Sequence, residues 1–211
     1  MVRKDLKDFI KTIPSNVTIV AASKYVGIDD MKILLESGVN NFGENRIESF
    51  LDKYQKLKDY QIKWHFIGHL QRNKAKKIIN IIDCLHSLDS IELAKIIDKE
   101  RKQPLDTFIE VSVNGEENKN GVSLETIDSF VEEVLKLSNI HLVGLMMMSE
   151  LNSEISYETQ FRKLRELRDK LENKFNISLP YLSMGMSEDY TYAIKEGATH
   201  IRLGRILFDL I

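Results

Sequence analysis

The 211-residue sequence predicts an α/β protein of one domain, residues 1–211, folded as an eight-unit (β/α)8 barrel of the TIM type. Short β-branched runs alternate with longer segments of helical period, the pattern of parallel strands joined by crossover helices. Eight such units are counted along the chain, the number a closed barrel needs. The first run, Val-Thr-Ile-Val-Ala-Ala at 17–22, is apolar nearly throughout, as strands covered on both faces are. An open doubly wound sheet is the alternative architecture, because 211 residues is short for a barrel.

The strand runs are Val17–Ser23, Val39–Phe42, Ile62–Ile67, Ile82–Ser87, Thr107–Val113, His141–Met146, Pro180–Met184 and Thr199–Leu203. The helical stretches between them are Asp29–Ser37, Glu44–Leu57, Asn73–Ile79, Ile91–Arg101, Leu124–Leu137, Ile155–Phe175 and Glu188–Glu196, with an apolar tail, Arg205–Leu210, as a last helix. Ser90 before Glu92 and Ser187 before Glu188 are capping signals. Gly38 and Gly197 stand where helices need a left-handed closing residue. The polar, turn-rich segment Asn114–Gly121 is a long loop after the fifth strand, and no linker divides the chain.

In a barrel, chemistry sits at the C-terminal ends of the strands. The unusual polar residues at those ends are Lys24, Asn45, His65, His86, Asn114, Ser187, Arg202 and Gly204. Lys24 closes the first strand, where partial desolvation favours the neutral amine that attacks an aldehyde. Ser187, placed at a helix start, and the backbone that follows suit a phosphate, and Gly204 lets main chain approach an anion. Arg202, in an otherwise apolar strand end, needs an acceptor, and a pyridine nitrogen or a structural ion pair supplies one. Met146–Met148 end the sixth strand as core filling or as pocket lining. His65 and His69 straddle a strand end and a turn, which argues against a zinc pair.

The formal charge of −2 and interspersed basic residues argue against nucleic acid and anionic membranes as partners. The single cysteine, Cys84, excludes a disulfide framework and reads as a buried hydrophobe. The mixed-charge N-terminus is not a signal peptide, and no apolar run is long enough to span a bilayer. The expected location is the cytoplasm.

Seven motifs together give the sequence a family likeness: Ala-Ser-Lys at 22–24, Asn-Phe-Gly-Glu-Asn at 41–45, His-Phe-Ile-Gly-His-Leu-Gln at 65–71, Asn-Gly-Glu-Glu-Asn-Lys-Asn-Gly at 114–121, Gly-Leu-Met at 144–146, Ser-Met-Gly-Met-Ser at 183–187 and Arg-Leu-Gly at 202–204. The chain resembles the pyridoxal 5′-phosphate (PLP) homeostasis protein family, which shares the barrel of fold-type III alanine racemases. The resemblance implies an aldimine between PLP and Lys24. It also implies phosphate binding by Ser187 with backbone groups of Gly204 and Arg205, and Arg202 facing the pyridine nitrogen. Asn45 and Met184 would line the pocket, and His65 joins the implied cofactor-binding set. Three departures stand out: Met147 where the family usually has threonine, Asp209 where glycine is common, and a shorter segment before Val17.

A guanidinium stays protonated and cannot readily give its proton to the ring, which weakens the cofactor as an electron sink. The second, β-rich domain that supplies a racemase's acid/base groups is not expected here, and Tyr25 and His65 are undistinguished substitutes. The expected function is therefore PLP carriage or buffering by a monomer, with PLP-dependent apo-enzymes as recipients. The alternatives are a small amino-acid racemase and a sugar-phosphate binder.

Overall fold

The computed structural model describes residues 1–113, 121–150 and 153–208. After a short helix α1 (Leu6–Thr12), strands and helices alternate as β1 (Thr18–Ala22), α2 (Ile28–Glu36), β2 (Asn41–Glu44), α3 (Ile47–Lys56), β3 (Lys63–Phe66), a 3-10 segment (Arg72–Lys77) and β4 (Cys84–Leu88). The second half runs α4 (Ile91–Glu100), β5 (Leu105–Ser112), the two-residue β6 (Val122–Ser123), α5 (Ile127–Val134), β7 (Ile140–Met146), α6 (Tyr157–Phe175), β8 (Tyr181–Ser183), α7 (Tyr190–Lys195) and β9 (His200–Leu203).

Every pairing is parallel. The order β4-β3-β2-β1-β9-β8-β7-β5 closes on itself through β4–β5, which makes an eight-stranded barrel and excludes the open sheet. β6 lies outside the ring, where Val122 pairs with Val111 of β5. The alternating runs form this ring because their β-branched side chains pack on both faces of the pleat. Phe42, Phe50, Phe66 and Phe161, all fully buried, belong to the main apolar core.

The register also sets what the barrel interior contains. Val20 pairs with both Asn41 and Arg202, and His65 pairs with both Gly43 and Cys84. Facing partners in parallel strands point the same way, and His86, Ser183 and His200 fall on that side by the period of two. The lumen is therefore unusually polar: His65, His86, Ser183, His200 and Arg202 are all buried.

Gly144 and Gly185 are required by the packing around β8. A Cβ on Gly144 would lie 1.9 Å from the Tyr181 carbonyl oxygen, so its absence lets β7 and β8 meet. Gly185 has φ +93°, and a Cβ there would sit 2.6 Å from that of Ala193, so the turn leaving β8 needs glycine.

Several boundaries differ from expectation. Glu44 extends β2 instead of opening a helix, because α3 begins only at Ile47. The stretch expected as a helix over 73–79 is 3-10 over Arg72–Lys77. Arg205–Leu207 is likewise a single 3-10 turn. Ser90 caps α4 as expected, its side chain accepting from the Leu93 N–H. Ser187 does not cap α7, whose N-cap is Asp189. Residues 114–120, with Asn114, and Asp209 lie outside the described residues.

Candidate functional site

β1 delivers Lys24, β2 delivers Asn45, and β9 delivers Arg202 and the turn at Gly204, all to the end of the barrel where strands finish. There they border one cavity of about 330 Å³ together with Ser187 and Arg205. That volume lies at the small end of ligand clefts, roughly 300–1,000 Å³. The cavity thus gathers six of the eight residues expected at the site. Met184 is fully buried and absent from the lining, which Met186 joins in its place. His65 is also fully buried and lies outside the lining, within the lumen.

Lys24 is half-buried, with its ammonium 4.7 Å from the centre of the Tyr25 ring. Hydrogen bonding to that ammonium holds the exposed Tyr25 phenol below its ordinary range. The strand end is braced from behind. The Lys53 ammonium of α3 donates to the Ser23 carbonyl and to Glu44 Oε1. Glu44 also accepts from Ser23 Oγ at 2.9 Å, from Ser49 Oγ at 3.2 Å and from the Asn45 N–H at 3.2 Å. Ser23, Glu44 and Lys53 are all buried, so this ion pair sits in low dielectric between the two strand ends. Gly68 completes the brace: a Cβ there would lie 2.6 Å from the Asn45 carbonyl oxygen.

Across the cavity, the Gly204 and Ile206 N–H groups both donate to Ser187 Oγ, at 3.3 and 3.4 Å. Two main-chain donors converging on one oxygen through long bonds form a cradle that an anionic oxygen would fill better. The turn carrying Ser187 is fastened by Asp189, which accepts the Met186 N–H at 2.5 Å and the Ser149 hydroxyl. Arg205 pairs with Glu188 at the rim.

Arg202 is 4% exposed. Its Nη1 donates to the Ser183 carbonyl at 2.8 Å and to Ser183 Oγ at 2.7 Å, and its Nη2 donates to the Met147 carbonyl at 2.8 Å. Three of five N–H groups are thus committed among the described residues, leaving Nε and one Nη2 hydrogen. Burial lowers its pKa to about 10, against the opposing pull of Glu110 and Asp189, so it remains a cation at neutral pH. The unusual Met147 costs nothing at this contact, which is made by its backbone oxygen. Its neighbour Met148 is 56% exposed and lines the cavity.

Comparisons with known proteins give the family and the fold. The family model for the alanine racemase N-terminal domain matches residues 3–210. Relatives called pyridoxal phosphate homeostasis protein occur in Aquifex aeolicus, 43% identical over 90% of this chain and 85% of that one. The relative of that name in Schizosaccharomyces pombe is 36% identical over 92% and 84%. The chain belongs to the pyridoxal phosphate homeostasis protein family. Among solved structures, PipY of Synechococcus elongatus with PLP bound has a TM-score of 0.90 at 28% identity, covering 97% of this chain and 98% of that one. Alanine racemase of Clostridium difficile has a TM-score of 0.78 at 17% identity, covering 98% and 57%, a likeness of fold.

Sequence reasoning passed over the Glu44–Lys53 pair and the Ser149–Asp189 clasp. Glu44 and Lys53 are nine apart on different elements, a spacing that carries no signal. Asp189 had one: an acidic residue closing a Gly-Met-Ser-Glu-Asp turn is a ready acceptor for main-chain N–H groups.

Proposed function

We propose that this barrel, residues 1–211, binds PLP in the cavity above β1 and β9 and carries or buffers the cofactor. The observation that carries the reading is the convergence, in one 330 Å³ space, of an amine on Lys24, paired main-chain donors at Gly204 and Ile206, and the buried Arg202 cation. Each matches one feature of the ligand: aldehyde, phosphate and ring nitrogen. PLP bound to PipY and the names of the relatives support it.

In this reading the Lys24 amine adds to the aldehyde carbon with loss of water. Ser187 turns its hydroxyl toward the phosphate, and the Gly204, Arg205 and Ile206 amides take the phosphate oxygens. Arg202 directs an uncommitted N–H at the pyridine nitrogen. Because that cation keeps its proton, the cofactor's electron-withdrawing chemistry is muted, which suits carriage over turnover. Asn45 and Met186 flank the ring. The carrier is a cytoplasmic monomer that hands PLP to apo forms of PLP-dependent enzymes. No described helix is long and apolar enough to cross a membrane.

The test is borohydride reduction of protein loaded with PLP, followed by peptide mass mapping. A cofactor adduct on Lys24, absent in Lys24→Ala, is expected. Wild-type protein that takes up no PLP, or that is modified elsewhere, overturns the reading. Lys24-dependent racemisation of an amino acid at enzymatic rates would replace the carrier with a catalyst.

A further inference from the structure

Below Arg202 the lumen holds a continuous string of polar side chains. Ser183 Oγ is 2.8 Å from His86 Nδ1, His86 Nε2 is 2.8 Å from His65 Nδ1, and His65 Nε2 is 2.9 Å from Asn41 Oδ1. Asn41 in turn donates from Nδ2 to Asn40 Oδ1 at 2.9 Å. His65, His86 and Ser183 are fully buried. The string descends from the cavity to the start of β2, at the opposite end of the barrel.

The donor direction at every link follows from chemistry. Asn41 Oδ1 only accepts, so His65 Nε2 carries a hydrogen. A neutral His65 then has a bare Nδ1, which accepts from His86 Nε2–H. A neutral His86 in turn has a bare Nδ1, which accepts the Ser183 hydroxyl hydrogen. That leaves the Ser183 oxygen to accept from Arg202 Nη1. Burial lowers the affinity of both imidazoles for a second proton, and His200, Lys63 and Arg202 add to the effect at His86. All four ring nitrogens are satisfied, and a second proton on either ring would set two donors against each other.

We infer that the one-way chain Arg202→Ser183→His86→His65→Asn41 is a positioning device that fixes the plane of the Arg202 guanidinium for the ligand. This rests on the proposed role of Arg202 toward the PLP ring. Ser183 is the pivot, because it gives Arg202 two acceptors and hands its own hydrogen to His86. His86 and His65 keep the Ser183 hydroxyl from rotating to donate elsewhere. The ligating atoms of His65, His86 and Cys84 also lie within 4.8 Å of one another, the makings of a metal site. A metal there would need the nitrogens that the chain already uses, and burial pushes the Cys84 thiol up, away from the thiolate a metal prefers.

The decisive measurement is the tautomer of each ring, read by long-range proton–nitrogen NMR of protein labelled with ¹⁵N-histidine at pH 7. His65 and His86 are both expected as neutral Nε2–H tautomers, assigned through His86→Asn and His65→Phe. An Nδ1–H tautomer or an imidazolium at either position overturns the chain, as does a stoichiometric metal ion retained through purification. The functional arm titrates PLP into His86→Leu, His86→Asn and Ser183→Ala. His86→Leu and Ser183→Ala are expected to bind about five- to tenfold more weakly, the worth of one or two hydrogen bonds. They should shift the absorbance maximum of the Lys24-linked cofactor. Asn places Oδ1 where His carries Nδ1 but does not reach His65, so His86→Asn should fall between wild type and His86→Leu, about two- to threefold weaker than wild type. Equal affinity and an unshifted band in all three overturn the positioning role. PLP failing to label Lys24 in wild-type protein would remove the proposed function while leaving the tautomer result intact.

Discussion

Lys53 stands in no motif, yet its ammonium ties α3 to the carbonyl just before Lys24 and to the carboxylate just before Asn45. Replacing it by methionine would leave Glu44, with 0% of its surface exposed, as a buried charge without a countercharge. The expected cost is about 3–5 kcal/mol in urea unfolding. A Glu44→Gln/Lys53→Met double variant should recover more than half of that, because the amide keeps hydrogen bonds without the charge. Arg202→Lys tests the opposite end of the site. One ammonium cannot reach the Ser183 and Met147 carbonyls in the planar geometry of a guanidinium. A loss of about 1–3 kcal/mol is expected for the acceptor left bare, with PLP binding weakened in the same variant. Lys24 and Arg202 stood out in the sequence because each interrupts or ends an apolar strand, and Ser187 because it stands at an expected helix start. His65 was legible as unusual, but its inward direction depends on register, which a single strand does not reveal.

The alternation that predicted eight units is borne out by eight strands in the closed ring, and most boundaries fall within a few residues of expectation. Two of the misplacements share a cause: polar side chains that look like helix signals are used by tertiary contacts. Glu44 was read as opening a helix and instead closes β2, where the Lys53 pair compensates a buried carboxylate. Ser187 was read as a cap and instead faces the β9 turn, while Asp189 fastens its own turn. The two-residue β6 is too short for any periodicity to announce it. At this scale Gly185→Ala is informative. The added methyl meets both a left-handed backbone and the Ala193 side chain, so a destabilisation of about 1–3 kcal/mol is expected. Because the same turn presents Ser187, PLP affinity should fall too. Ser90→Ala should cost about 1 kcal/mol and leave PLP affinity unchanged, since its cap serves α4 alone. Thermal unfolding beside PLP titration separates the two outcomes.

The polar lumen gives the whole molecule a pH signature. Burial lowers the His200 pKa to about 4, helped by Lys63 and Arg202, and lowers those of His65 and His86 well below normal. Groups depressed in the fold contribute stability that is present above their unfolded value near 6.5 and lost as pH falls through the folded value. For His200 alone this amounts to about 3 kcal/mol. Glu110 acts in the opposite sense. Burial, with Asp89 nearby, raises its pKa to about 7, so its contribution is full below 4.5 and disappears as pH rises through 7. Wild-type protein should therefore lose stability between pH 7 and 5, cushioned by Glu110. Glu110→Gln should make that loss steeper, and His200→Phe should make it shallower. Urea midpoints at pH 5, 6 and 7 decide it, and parallel curves for all three proteins would contradict the assignment.

The carbonyls of Met147 and Ser183 grip Arg202, and the amides of Gly204 and Ile206 crowd a single oxygen at Ser187. Half of the site is thus written in peptide groups, whose presence does not depend on which residue supplies them. Met147 and Ile206 serve the apolar core with their side chains and the site with their backbone, so alanine scanning there would read the packing and leave the peptide contacts unreported. Exchanging a single amide for an ester at position 204 or 206 would make that hidden half audible.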